Sequence, residues 1–96
     1  MPPREEFEEA IREAIRMSYE IGYSPTRFEQ MIEIDHPVEV GQRLVISGEF
    51  QHGIRELAKL GRLDLTIESI MLQSQFAQLF TQAELDAAKW RLHHVQ

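Results

Sequence analysis

Three mid-chain arginines, Arg27, Arg43 and Arg62, are the side chains in this sequence that are best suited to binding chemistry. The planar guanidinium group of arginine presents forked donors that match the oxygens of a phosphate. With the fourth mid-chain arginine, Arg55, and with Tyr23 and Lys59, the three could form a small basic pocket for an anionic ligand such as a nucleotide. Their spacing does not require them to converge, so a dispersed set of solvated surface charges is the competing interpretation.

A second candidate is the pair Arg62 and Asp64, which flank Leu63 in a leucine-rich segment. Residues 57–68 hold four leucines, one isoleucine and a glycine, a pattern that predicts the end of one helix, a tight corner and the start of another. On such a corner the pair could recognise a ligand or a partner. The alternative is that Asp64 caps the following helix while Arg62 contacts the last carbonyls of the preceding one, which is the more ordinary role at helix ends.

The remaining reactive residue types form no recognisable site. The chain has no cysteine, which excludes disulfides, thiolate metal sites and a cysteine nucleophile. Its four histidines lack the i and i+4 spacing with which two imidazoles bind zinc from one helix face. No serine lies in a nucleophile-elbow sequence, and no glycine-rich loop could hold a phosphate. We therefore predict a protein without enzymatic activity, metal or cofactor.

Composition limits the class of protein and its partners. The 96 residues are 43% hydrophobic, which is enough for one domain with a single core. The formal charge of −6 disfavours binding to phosphate backbones, which needs clustered lysine and arginine, so nucleic acid is an unexpected partner. No apolar run approaches the roughly 18 residues that span a bilayer, so no membrane partner is expected. The acidic N-terminus does not resemble a secretory signal, and the expected location is the cytoplasm.

Apolar residues recur at helical spacing along the whole chain, which predicts an all-α fold. The first expected helix is long and covers residues 4–21, and the second runs from Pro25 to about Ile34 with Ser24 as its cap. A third is expected from Pro37 to Ile46 and a fourth from Phe50 to Leu60. A short fifth helix would be capped by Thr66 or Asp64, and the last would begin at a Thr81–Glu84 capping box. The β-branched residues of the third helix leave a short strand at 44–46 as the alternative. The result would be an irregular orthogonal bundle of five to six short helices, a single domain over residues 1–96 with frayed ends at 1–3 and 94–96.

The first helix carries more apolar side chains than one small core is expected to cover. Phe7, Ile11 and Ile15 form a stripe at i and i+4, and Tyr19 extends it. We predict that Phe7, Ile11, Ile15 and Tyr19 form a face for a protein partner or for a second copy of the chain. The alternative is that the outlying side chains cover the edge of the bundle.

Three segments together resemble a widespread uncharacterised small bacterial all-α domain. They are Gly22-Tyr23-Ser24-Pro25-Thr26-Arg27-Phe28, then Gly61-Arg62-Leu63-Asp64-Leu65-Thr66-Ile67-Glu68, then Phe76 through Phe80-Thr81 to Glu84-Leu85. The domain typically reads G-Y-N-P-T-x-F, G-R-L-D-L-S-V-E and F-T-x-x-E-L, and the resemblance covers roughly Ile11 to Leu92. It implies one compact helical domain and no catalytic residue. The chain departs from the pattern at Asp35-His36-Pro37-Val38, where a glycine-rich turn is expected.

These patterns favour a small non-enzymatic module for protein interaction or oligomerisation, most simply a homo-oligomer. A second hypothesis is a phage-type or accessory inhibitor. Such an inhibitor would act by acidic mimicry through the glutamates at the start of the first helix, or by sequestering a small nucleotide at the arginines described above.

Overall fold

Six α-helices and two 3-10 turns make up the regular structure in a computed structural model that describes residues 1–47 and 52–95. The helices are α1 (Pro3–Glu20), α2 (Thr26–Ile34), α3 (Pro37–Ser47), α4 (His52–Lys59), α5 (Ile67–Met71) and α6 (Gln82–His93), and the turns are Leu63–Leu65 and Ala77–Leu79. No strand occurs in the described part of the chain. The all-α prediction is confirmed. The alternative of a strand at 44–46 is wrong, because that segment lies inside α3.

Helix boundaries follow the local signals closely, with small corrections. Pro3 takes the first position of α1, and Gly22 ends the helix with a φ of 96°, an angle that favours glycine. The second helix begins one residue later than predicted, because Pro25 occupies the N-cap position and Ser24 makes no side-chain cap. The predicted start of the fourth helix at Phe50 lies outside the described residues. The ends were predicted to be frayed over residues 1–3 and 94–96. In the structure, α1 already begins at Pro3, and His94 is the C-cap of α6.

Two helix starts are fixed by threonine caps. Thr81 Oγ1 accepts a hydrogen bond from the backbone N–H of Glu84 at 3.2 Å, and a Glu84 oxygen accepts from the backbone N–H of Thr81 at 2.8 Å. This confirms the predicted capping box of α6. At α5 the cap is Thr66, whose Oγ1 accepts from the backbone N–H of Ser69 at 3.1 Å. Asp64 lies in the preceding 3-10 turn and does not cap α5.

The core is organised around Phe7 on α1. Its side chain has no exposed surface and meets the rings of Phe76 and Phe80 edge to face, at centroid distances of 5.4 and 5.3 Å. Such pairs add to the apolar burial because ring edges are positive and ring faces negative. Helices α3, α5 and α6 pack against one another and α1 contacts α3 and α5, so the stripe on α1 is enclosed.

Helix α3 approaches α5 closely at Gly41. A Cβ atom at this position would lie 3.1 Å from Met71 Sδ and 3.3 Å from Ile67 Cδ1, which is tighter than ordinary van der Waals contact. Gly41 therefore lowers the intrinsic helix propensity of α3, but it allows α3 and α5 to pack closely. The β-branched residues of α3 are compatible with a helix here because Val38, Val40 and Val45 are all buried, and tertiary packing outweighs weak local preference.

The unexpected sequence between α2 and α3 forms an ordinary helix start. His36 is the residue before Pro37, the first residue of α3, and its Nδ1 accepts a hydrogen bond from the backbone N–H of Val38 at 3.1 Å. Its other ring nitrogen lies 3.9 Å from a carboxylate oxygen of Glu8 on α1. The His36 side chain therefore caps the N-terminus of α3, a role that is more often filled by asparagine, aspartate or serine.

Removing this cap gives a first testable prediction. We expect His36→Ala to lower the free energy of unfolding by about 1 kcal/mol, because the Val38 N–H loses its acceptor, whereas His36→Asn restores an N-cap acceptor and should lose much less. Urea unfolding monitored by far-UV circular dichroism measures both. Equal losses for the two variants would show that the imidazole ring acts through its contacts with α1 and not through the cap.

Candidate functional site

Two of the arginines in the predicted basic pocket pair with nearby carboxylates. Arg43 pairs with Asp35 at 2.7 Å, and Arg62 donates from two nitrogens to the two carboxylate oxygens of Asp64 at 3.0 Å each. Arg27 is exposed on α2. Of the predicted ligand residues, Arg62 and Asp64 contact each other.

The Arg62–Asp64 pair is an exposed feature of the leucine-rich corner. Hydrogen bonding from the Arg62 guanidinium lowers the pKa of Asp64, and the same contact raises the pKa of Arg62. The backbone N–H of Arg62 donates to the carbonyl of Leu57 at 2.8 Å, which closes the end of α4. An exposed ion pair of this kind contributes little to stability, so its clearest effect is to hold two opposite charges in a fixed orientation.

The predicted partner face on α1 is mostly core. Phe7, Ile11 and Ile15 are 0, 1 and 8% exposed, so three of the four predicted residues are enclosed by the chain's own helices. Tyr19 is exposed, and its hydroxyl donates to the Glu29 carboxylate on α2, a contact that raises the pKa of Tyr19. These four residues therefore share no exposed surface.

The acidic start of α1 is partly neutralised by arginines. Glu8 pairs with Arg12 at 3.0 Å, and Glu39 on α3 receives two hydrogen bonds from Arg4 at 3.0 and 2.9 Å. The Arg4 contact lowers the pKa of Glu39. Glu5, Glu6 and Glu9 are exposed. Charges of both signs therefore occur along this surface, with the glutamates in excess.

Exposed apolar side chains occur instead at the ends of α2 and α3. Ile34, the last residue of α2, is 82% exposed, and Ile46 near the end of α3 is 61% exposed. Asp35 follows Ile34 directly and pairs with Arg43, which lies one helical turn before Ile46 on the solvent side of α3. We call these four residues, Ile34, Asp35, Arg43 and Ile46, the α2–α3 surface.

A pocket in the described part of the chain is lined by a buried pair of opposite charges. Glu68 on α5 and Arg91 on α6 form an ion pair in which Arg91 Nε donates to a Glu68 oxygen at 2.8 Å, and each side chain is 4% exposed. Both residues line a pocket of about 50 Å³. The other walls are mainly apolar side chains from α1, α2, α3 and α4.

Tyr23 and Gly53 both line the pocket. A Cβ atom on Gly53 would lie 3.2 Å from the Tyr23 hydroxyl, so a glycine at this position leaves room for the tyrosine ring. Desolvation, with a smaller effect of the negative charge on Glu56, raises the pKa of Tyr23. The tyrosine therefore stays neutral near pH 7 and lines the pocket as a polar but uncharged group.

No sequence signal marks Glu68 or Arg91 as buried. Glu68 follows Ile67 and precedes Ile70 and Met71, so an apolar environment could have been suspected on the α5 side. Arg91 lies 23 positions further along, between Trp90 and Leu92. Lysine, arginine and glutamate are almost always exposed unless paired, and a pair at this separation is visible only after folding.

Other classes of site have no counterpart in the described residues. No group of three or more histidine, aspartate or glutamate side chains there could hold a metal ion. Within the same ranges, no helix combines the length and the apolar character needed to cross a membrane. In comparisons with known protein families, curated proteins and solved structures, the chain matches none of them.

Proposed function

We propose that this chain is a small interaction module that associates with a second copy of itself through the α2–α3 surface. The observation that carries the proposal is the exposure of Ile34 (82%) and Ile46 (61%) on either side of the Asp35–Arg43 ion pair. Scattered exposed apolar residues are normal in monomers. Here, each isoleucine lies within three positions of one member of the Asp35–Arg43 ion pair, Ile34 next to Asp35 and Ile46 one helical turn after Arg43.

Such a patch is complementary to itself. In a twofold dimer the same surface occurs on both subunits, so a residue at one end of the patch meets a residue at the other end. Ile34 of one copy can then pack against Ile46 of the second copy, while Arg43 and Asp35 exchange partners across the axis. Burial of an isoleucine side chain stabilises an interface by up to about 1.5–3 kcal/mol, which is enough for association at micromolar to millimolar concentration when several such contacts combine.

Size-exclusion chromatography with light scattering over a concentration series tests the proposal. The wild-type chain should shift from monomer towards dimer as concentration rises. Ile34→Glu and Ile46→Glu each place an unpaired carboxylate in the apolar part of the interface, so each should weaken dimerisation at least about tenfold. Leu60→Glu is the matched control, because Leu60 is 46% exposed and lies outside the α2–α3 surface.

Two results would contradict the proposal. One is a wild-type chain that stays monomeric up to millimolar concentration. The other is a dimer that is weakened by Leu60→Glu as much as by the two α2–α3 variants, which would place the contact elsewhere. Circular dichroism of each variant confirms that the helical fold is retained.

A further inference from the structure

The His36 ring lies between the first turn of α3 and a carboxylate of α1, and it faces each of them with a different ring nitrogen. We infer that this histidine is a proton-operated switch: the neutral ring caps α3, whereas the protonated ring gives up the cap and pairs with Glu8. The inference does not depend on the proposed dimer, because it concerns contacts between α1 and α3 within one chain.

The hydrogen bond at the start of α3 fixes which ring nitrogen carries the proton. A backbone N–H can only donate, so Nδ1 of His36 must accept from Val38 through its lone pair, at 3.1 Å. In a neutral imidazole the other nitrogen, Nε2, then carries the proton. Nε2 lies 3.9 Å from Oε1 of Glu8, which is too long for a hydrogen bond. The neutral ring therefore makes the cap but no hydrogen bond to α1.

A second proton on the ring removes the cap. It occupies the Nδ1 lone pair, so both ring nitrogens become donors and neither can accept from Val38. Pro37 has no N–H, so the Val38 N–H is the first donor of α3, and Val38 is only 3% exposed. Two donors would then face each other at a buried residue, where an unsatisfied N–H is unfavourable. The protonated ring is therefore expected to turn away from Val38.

Glu8 is placed to receive the protonated ring. Arg12, one turn further along α1, binds Oε2 of Glu8 at 3.0 Å, whereas Oε1 faces Nε2 of His36. The side chains of His36 and Glu8 are 25 and 33% exposed, so the two groups approach each other at the partly shielded junction of α1 and α3. A shift of about 1 Å would bring the two atoms to the length of a charge-assisted hydrogen bond.

Two further carboxylates near the ring are bound by arginines. On α3, both oxygens of Glu39 accept hydrogen bonds from Arg4, which lower the pKa of Glu39, and His36 adds a smaller effect of the same sign. Immediately before the ring, Asp35 pairs with Arg43 at 2.7 Å. Neither carboxylate needs to give up its arginine for His36 to pair with α1.

NMR of the wild-type chain tests the switch. Long-range ¹⁵N–¹H spectra should show a bare Nδ1 on His36 near pH 8 and two protonated ring nitrogens near pH 5, since histidine ordinarily changes its charge in this range. Hydrogen exchange gives the protection factor of the Val38 amide, which is corrected for the intrinsic effect of pH. We expect this factor to be about fivefold lower near pH 5 than near pH 8, the ratio that corresponds to the loss of an N-cap.

Two controls separate the switch from a general effect of acid. The backbone N–H of Ser69 is capped by the hydroxyl of Thr66, which does not titrate, so its protection factor should be equal at both pH values. His36→Asn keeps a capping acceptor that cannot be protonated, so the Val38 amide should become insensitive to pH. Of the four histidines, three remain in this variant, so their titration cannot explain the difference.

Glu8→Gln tests where the protonated ring goes. In wild type, nuclear Overhauser contacts between the His36 ring and the Glu8 side chain should strengthen near pH 5, because the imidazolium approaches the carboxylate. Glutamine keeps the shape of the side chain without its negative charge, so the contacts should not strengthen in the variant.

The inference is overturned if Nδ1 carries a proton near pH 8, or if the ring stays neutral near pH 5. It is also overturned if Val38 keeps its protection factor once the ring is protonated, or if Ser69 or the His36→Asn variant changes as much as Val38 does in wild type. An equal gain of Overhauser contacts in Glu8→Gln would refute the pairing with α1. The wild-type measurements alone decide the loss of the cap if a variant fails to fold.

Discussion

Replacing Glu68 by methionine is expected to lower the free energy of unfolding by about 3–5 kcal/mol, because the substitution removes the carboxylate that accepts a hydrogen bond from Nε of the buried Arg91. Arg91 is 4% exposed and its Nε donates to Glu68 at 2.8 Å, so the hydrogen bond is lost at a buried position. A domain of this size has a total stability of only about 5–15 kcal/mol. Urea unfolding followed by circular dichroism measures the loss.

The reverse substitution removes the other partner of the pair. Arg91→Met leaves the buried Glu68 carboxylate without the Nε–H that donates to it at 2.8 Å, so it should also lower the free energy of unfolding by about 3–5 kcal/mol. Urea unfolding measures this loss in the same way.

The double variant Glu68→Met with Arg91→Met completes a thermodynamic cycle. With both charges removed, no unpaired ion remains, and the stability should return to within about 1 kcal/mol of wild type or exceed it. A double variant as unstable as the sum of the two single variants would contradict the proposed cause. In that case the two side chains would act through separate packing contacts and not as an ion pair.

Replacing Phe7 by alanine is the second substitution with a large expected effect, a loss of about 3–5 kcal/mol in the free energy of unfolding. Phe7 is completely buried and contacts two aromatic rings, so its removal leaves a cavity and breaks the edge-to-face contacts with Phe76 and Phe80. Each of these contacts adds about 0.5–1.5 kcal/mol beyond burial. Thermal or urea unfolding gives the difference directly.

Two control variants show whether the loss comes from the cavity left at Phe7 or would follow the removal of any apolar side chain. Phe7→Leu keeps most of the apolar volume and should lose clearly less than Phe7→Ala. Leu60→Ala removes an apolar side chain that is 46% exposed and should change stability by about 0.5 kcal/mol or less. If Phe7→Ala lost no more than Leu60→Ala, Phe7 would not be the centre of the core, and the original prediction of a partner face on α1 would regain support.

The correct part of the sequence prediction consists of features that depend on neighbours within one or two helical turns. The capping box at Thr81 and Glu84, the end of α1 near Gly22 and the helical character of residues 37–46 could all be predicted. In each case the controlling contacts are local, since caps and helical spacing involve residues three or four positions apart. The one-residue error at Pro25 is of the size expected for helix ends.

The predicted sites were less successful, and two examples show why. The stripe of Phe7, Ile11 and Ile15 identifies a buried helix face but not what buries it; α3 and α5 cover it, so it is part of the chain's own core. Arg43 and Arg62 have the right chemistry for an anionic ligand, but each pairs with a carboxylate in the folded chain. Residue type indicates what a group can bind, whereas its partner depends on the packing of the helices.

The sequence by itself determined that this chain is all-α, and where most of its helices begin and end, because those properties depend on hydrogen bonds and side-chain spacing within a few residues. Only the tertiary structure decided which charges are buried and which apolar groups are exposed. Glu68 and Arg91 pair across 23 positions, while Ile34 and Ile46 remain facing solvent. The physical reason is that burial is a property of the assembled helices: the same side chain has a different free energy depending on neighbours that are remote in the chain.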